Sequence, residues 1–267
     1  MAIRLRDRHS MSRMQPGGRA VTMSSAALKW TGLLLTCLSS LGVAVLQRGL
    51  LRVDTATQEE LAAAVADPSS GAASLVSAAV TCSLIAAMAI PLYAKLVYEG
   101  WKRMENRTPL FLRMALCALV SEIPYDLAMS GRALDFDVQN PVWGLLVCAA
   151  MLEVLRIPKP RSRIVSALLQ VLVVAGALAW TLLLHVYMGP ALALLAALFY
   201  FLEGNRTLST LGGAALTIAQ FPAPLGMLFV YWYEPDEVRD ARYPYLFYLL
   251  YPAQLLAFYL LGLLLQL

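Results

Sequence analysis

The chain has 267 residues, 60% hydrophobic and 14% charged, with a net charge of +4. Soluble domains run near 45–50% apolar and about 25% charged, so the composition excludes an ordinary soluble domain and points to helices in lipid. A surplus of four positive charges is too small for a nucleic-acid surface, and no nucleic acid is expected as partner. At about 20 residues per crossing, the length leaves room for at most about ten spans.

The segment 1–26 is basic, with Gly17-Gly18 and no apolar period, and is read as a disordered cytoplasmic tail. The first apolar run begins near Trp30 and extends to Leu46, which is late and long for a cleaved signal peptide. An acidic loop follows, in which Thr55 to Ala66 suits a short surface helix capped by Asp54 or Thr55. The second run covers Ala72 to Tyr93. The third, Pro109 to Met129, carries Arg113, Glu122 and Asp126 inside it.

A short fourth run, Pro141 to Leu155, precedes a clean fifth from Ile164 to Leu184. The turn Met188-Gly189-Pro190 leads to a sixth, Ala191 to Leu202. Thr207 to Gln220 and Pro222 to Tyr233 form a seventh and an eighth, separated at Phe221-Pro222. Tyr245 to Leu267 closes the chain. Because the sixth to eighth are short against a bilayer, the expected fold is all-α: a polytopic transmembrane helix bundle with eight or nine spans in one domain, 27–267. With the N-terminus in the cytoplasm and nine spans, 18 of the 21 Lys and Arg fall on inner segments. The outer ones hold Arg48, Arg52 and Arg132. This skew satisfies the positive-inside rule and places a multi-pass protein in the cell membrane, with the lipid bilayer as its first partner.

Chemistry is scarce. The four cysteines, Cys37, Cys82, Cys117 and Cys148, lie inside apolar runs with no CxxC pair, and the only histidines are His9 and His185, so no metal centre is expected. Ionisable groups at membrane depth mark function by default. Glu122 and Asp126, four apart, share a helix face around Pro124, as an acid/base or cation-coordinating pair. The plainer alternative puts Asp126 at the outer interface and pairs Glu122 with an arginine. Arg113, 9 residues earlier, is about 13 Å away along the axis and cannot be that partner.

Glu99, Lys102 and Arg103 follow the second run, where the cations suit an anionic head such as a phosphate, or serve only the positive-inside rule. Gln139-Asn140, and Tyr251 with Gln254 around Pro252, are further polar points facing a protein-filled or wet interior.

The run Ser121-Glu122-Ile123-Pro124-Tyr125-Asp126-Leu127-Ala128 resembles the SEIPFDLA signature of the TraX family. Its context agrees: Pro91, Glu99-Gly100, Asn106-Arg107, Arg113, Gln139-Asn140, Leu198-Phe199-Tyr200 and the final Tyr245–Pro252 segment. The resemblance covers residues 27–267. It implies a protein linked to conjugation and to N-terminal acetylation of pilin, related to membrane acyltransferases. Acetyl-CoA or another acyl-CoA would be the donor, and a protein or glycan amine or hydroxyl the acceptor. Glu122 and Asp126 would then be catalytic, while Glu99, Lys102, Arg103 and Arg113 receive the donor.

The sequence departs from the family pattern at four places. Ser39 and Ser40 stand where an Asp-His pair is expected, Gln254 where a histidine follows Tyr-Pro, and Ala87 where an arginine precedes Pro91. Serine and glutamine do not titrate near neutral pH as imidazole does, though Ser39, Ser40 and Gln254 can still offer hydrogen bonds in the same pocket. A non-catalytic membrane scaffold or accessory relative is therefore the alternative to an acyltransferase. A small-solute transporter with broken helices is the third reading.

Overall fold

The computed structural model describes residues 22–158, 160–234 and 245–266. The basic tail up to residue 21, and Lys159, Arg239 and Arg242 of the inner segments, lie outside them. Among the described residues every regular element is helical, and β-pairing is confined to two isolated bridges, Met23 with Tyr233 and Gln139 with Val186.

Helix α1 covers Ser25–Ser40, begun by the Ser24 side chain accepting from Ala27 N at 3.2 Å. It continues without interruption as a wider π-helical stretch, Leu41–Leu50. The surface helix α2 is Gln58–Ala66. Its cap is Thr57, not Asp54 or Thr55, because Glu60 stands three residues on and returns the bond: Glu60 N donates to Thr57 Oγ1 at 3.2 Å and Thr57 N to Glu60 Oε2 at 2.8 Å. Helices α3 (Ala72–Ala86) and α4 (Ala89–Arg103) are broken only at Ala87-Met88. Pro91 is the reason, since it has no N–H to continue the ladder, and it sits in the first turn of the restarted helix, where none is needed.

Helix α5 is Thr108–Ser130, continuous past Pro124 and ended by Gly131. Helix α6 (Pro141–Arg156) is capped by Asn140, whose Oδ1 accepts from Val142 N at 2.9 Å. Then come α7 (Arg163–Leu183), α8 (Gly189–Phe201) and α9 (Arg206–Leu216). A 3-10 turn (Ile218–Gln220) and a cis Phe221-Pro222 bond lead to α10 (Ala223–Trp232), and α11 is Leu246–Leu264.

Two packed groups make up the bundle. In the larger, α4, α6, α7 and α9 pack on α8, whose Leu195 and Ala196 are fully buried, and α10 packs on α4 and α9. In the smaller, α11 lies against α5 and the π-helical stretch, and α1 joins it to α4. Gly262 makes the close approach possible, because a side chain there would collide with the Ala44 carbonyl. Such backbone contact is how helices hold together where lipid removes the hydrophobic drive between them. The outer surface is inverted relative to a soluble protein: Leu168 and Leu172 of α7 are 64% and 67% exposed.

Among the described residues four helices are long and apolar enough to cross a membrane: Ser25–Leu50, Ala72–Arg103, Arg163–Leu183 and Leu246–Leu264. That is fewer than the eight or nine apolar runs of the sequence. Helix α5 has the length, with 23 residues, but holds three ionisable side chains. Helices α6, α8, α9 and α10 have 16, 13, 11 and 10 residues.

The bundle has two ends. At the basic end meet the C-termini of α4, α6, α8 and α10 and the N-termini of α1 and α9. Tyr233 ties them, its hydroxyl 3.0 Å from Ser25 Oγ and accepting from Arg103 Nη2 at 2.8 Å, while its carbonyl accepts from Arg206 Nη2 at 3.3 Å. At the opposite end, Gln266 donates to the Arg48 carbonyl at 2.8 Å, and Gln139 pairs with the 185–187 turn.

Candidate functional site

Glu122 points into the bundle from α5 and is met by α6. Its Oε2 accepts from Trp143 Nε1 at 2.8 Å and, in a very short bond, from Asn140 Nδ2. Asn140 is the cap of α6 and also donates to the Ala118 carbonyl at 3.0 Å. Among the described residues, the partners of Glu122 are thus neutral donors, and no arginine meets it. Its other oxygen, Oε1, is buried without a hydrogen bond among them.

Asp126 is 2% exposed and has a different task. Its Oδ2 accepts from Asp135 N at 2.9 Å and so folds the loop after α5 back onto the helix, while Oδ1 is buried and unpartnered among the described residues. The two carboxylates share a face, as their spacing requires, but they hold no partner in common.

Tyr251 packs against Tyr125 and Ala128 on one side and Cys117, Ala118 and Val142 on the other, which brings α11 to the turn of α5 that carries Glu122. One turn further on α11, both side-chain atoms of Gln254 are buried with no hydrogen bond among the described residues. A buried polar group without a partner costs about 1–3 kcal/mol, so Glu122 Oε1, Asp126 Oδ1 and Gln254 together carry a marked penalty. Penalties of this kind concentrate where a ligand or water completes the network. Ser40 offers nothing more to such a network: it is 1% exposed and its hydroxyl donates to the Thr36 carbonyl at 3.2 Å. Ser39 lies beside it on α1, half-buried. Gln139 is spent on the Asp135 carbonyl at 3.2 Å.

The basic end holds a second constellation. A cavity of about 220 Å³ is lined by Lys95, Glu99, Lys102, Glu203 and Arg206, with Tyr98, Phe199 and Tyr233 as aromatic walls. Lys95 pairs with Glu99 at 2.7 Å and lies 5.1, 5.2 and 5.8 Å from the ring centres of Tyr98, Phe199 and Tyr233. Lys102 meets Glu203 at 2.5 Å. The Lys102 ammonium holds the Glu203 carboxyl below the usual carboxylate range. Arg103 reaches Tyr233 and, at 3.8 Å, Glu99. Arg113 is apart from this group, stacked 4.7 Å over the Tyr245 ring.

Several members of these groups carry little sequence signal. Asn140 is legible as a cap before Pro141, but nothing local marks Trp143, Glu203 or Tyr233, which meet their partners only through tertiary packing. Among the described residues no group of three or more His, Cys, Asp or Glu is placed to hold a metal ion.

An all-helical bundle with an inverted apolar surface, four membrane-length helices and a carboxylate held between neutral donors in its interior defines a helical membrane protein. The chain belongs to the TraX family: the family model described as TraX protein matches residues 24–262, nearly the whole chain. No curated protein and no solved structure matches it.

Proposed function

We propose that this protein is a membrane acyltransferase that moves an acetyl or similar group from a cytosolic acyl-CoA to an amine or hydroxyl acceptor, with Glu122 as the base. The observation that carries the reading is the Glu122 carboxylate, inside the bundle with one oxygen anchored by Asn140 and Trp143 and the other without a partner among the described residues. A base needs that division: one oxygen fixes orientation, the other takes the proton. The acceptor N–H or O–H gives its proton to Oε1 as its nitrogen or oxygen attacks the thioester carbonyl. The C–S bond then breaks, the thiolate leaves, and the proton returns to sulfur. The buried Gln254 amide offers the developing oxyanion an N–H donor.

The basic-end cavity suits the phosphates of the donor, with cations from Lys95, Lys102 and Arg206 and flat faces from Tyr98 and Phe199. Its 220 Å³ is below the 300–1,000 Å³ of a full ligand pocket, so it takes a head group while the rest of the donor extends inward.

The orientation that fits is a cytoplasmic basic end in the cell membrane, with a multi-pass chain. In this reading α9 and α10 form a re-entrant hairpin, since both its outer ends lie at the basic end, tied by Arg206 and Tyr233. Their 11 and 10 residues give about 16 and 15 Å against a core of about 30 Å. Seven crossings and one hairpin then absorb the nine apolar runs. The acceptor would be a protein or glycan group.

A Glu122→Gln variant tests the chemistry, because glutamine still accepts from Trp143 but takes no proton. Acyl transfer should fall by about 10²–10⁴-fold with the melting temperature kept. Unchanged transfer would remove Glu122 as the base. The second reading, a non-catalytic scaffold of the same fold, is favoured by Ser40, whose hydroxyl is bound to its own helix where the family pattern has a histidine.

A further inference from the structure

The three cations that the positive-inside rule leaves on outer segments, Arg48, Arg52 and Arg132, converge at one place in the fold. A cavity of about 350 Å³ opens at the end opposite the basic one, lined by Arg48, Asp54, Ser130, Arg132, Tyr259 and Gln266, among others. Arg52 closes its rim by donating from Nη2 to the Gln266 carbonyl at 2.8 Å. Three separate segments deliver these groups: the π-helical end of α1 with the loop after it, the end of α5, and the end of α11.

The cavity is built around Arg48. Its guanidinium lies directly over Gly131, whose φ of 72° is left-handed and where any Cβ would collide with it. Glycine therefore serves twice there, ending α5 and leaving room for the cation. The carbonyl end of α5 favours a positive charge at that spot. Arg48 is matched by Asp54 at 2.7 Å, but Arg132 is 70% exposed and its nearest acid, Asp135, is 4.0 Å away. The lining thus carries two guanidiniums against one carboxylate. Its α11 side is continuous with lipid-facing surface, Leu263 and Leu264 being 40% and 65% exposed.

We propose that this cavity binds a phosphate oxyanion, with Arg48 and Arg132 as its ligands. Guanidinium groups match the planar pairs of oxygens that phosphate presents. The phosphate has two sources, the headgroup of an anionic lipid or a free phosphate ion, and the position beside α11 serves the first. The site is independent of the acyl-transfer reading, and its test needs no turnover.

The test uses the full chain in micelles of a nonionic maltoside detergent, which carries no phosphate, with thermal unfolding followed in two titrations, one with phosphatidylglycerol and one with inorganic phosphate. An Arg132→Gln variant is run beside the parent, because its side chain is exposed and loosely paired and its loss leaves the bundle packing intact. A rise in melting temperature with phosphatidylglycerol alone supports the lipid headgroup, and a rise with inorganic phosphate supports the free ion. In either case Arg132→Gln should weaken the apparent affinity by about tenfold, the worth of one charge-assisted contact. No rise in either arm with folded parent protein, or an unchanged affinity in Arg132→Gln, would overturn the proposal.

Discussion

Glu203 and Lys102 show how a single pair translates into a pH response. The carboxyl is held below its usual range by the Lys102 ammonium, so the pair's contribution is fully present above the ordinary glutamate pKa of about 4.3. It is lost as the pH falls through the depressed folded value. Both side chains are about half exposed, 47% and 51%, which limits the pair to under about 1 kcal/mol and makes it salt-sensitive. Unfolding midpoints measured from pH 7 down to 3 should therefore fall less in Glu203→Gln than in the parent, and by less still at high salt. An identical acid loss in both proteins would show that the pair is not formed. At the same scale, Glu122 was legible in the sequence as an ionisable residue at membrane depth, but its partners were not. Trp143 is an ordinary aromatic in an apolar run, and only the crossing of α5 and α6 brings its indole N–H to the carboxylate.

Elements were legible where their signals are local. The long apolar runs became helices, although the second broke at Ala87-Met88 and continued past its charge boundary through Lys95 and Glu99 to Arg103, and Asn140 before Pro141 began α6 as a cap should. Where two caps competed the sequence misled: Asp54 and Thr55 lost to Thr57, because only Thr57 has Glu60 three residues on to return the bond. The pairing of α9 with α10 was not legible either, since a short apolar run reads the same whether it crosses or turns back. That pairing makes a prediction. In a cysteine-depleted protein, Asn205→Cys and Glu234→Cys should both react with an impermeant thiol reagent from the basic-end side, and Phe221→Cys, at the tip, from neither side. Labelling of Phe221→Cys from the opposite side would mean two full crossings. Between elements, the contact of α11 with the π-helical stretch rests on Gly262, where a side chain has no space. Gly262→Leu should destabilise the protein by about 1–3 kcal/mol through overpacking, read as a lower thermal midpoint. An unchanged midpoint would show that the two helices are free to separate.

At the scale of the molecule, composition alone excluded a soluble fold, and the structure agrees through its inverted surface. What composition could not convey is the division into two packed groups, with the small, fully buried residues of α8 at the centre of one. Nor could it convey that the Glu122 network and the charged cavity are separate constellations, one in the interior and one at the basic end. The family resemblance groups Arg113 with Lys102 and Arg103 as donor contacts, whereas in the fold Arg113 stacks over the Tyr245 ring, apart from them.

The acyl-transfer account needs these two places to serve one donor, and that is open to a direct test. Acetyl-CoA is added to purified, folded, detergent-solubilised protein and unfolding is followed thermally, with a Lys102→Ala variant alongside. At 100 times its dissociation constant, a ligand of the folded state stabilises by about 2.7 kcal/mol. The account predicts a shift of that order in the parent and its loss in the variant. A folded parent protein that shows no shift would contradict it, and would leave a non-catalytic membrane relative that keeps the family fold.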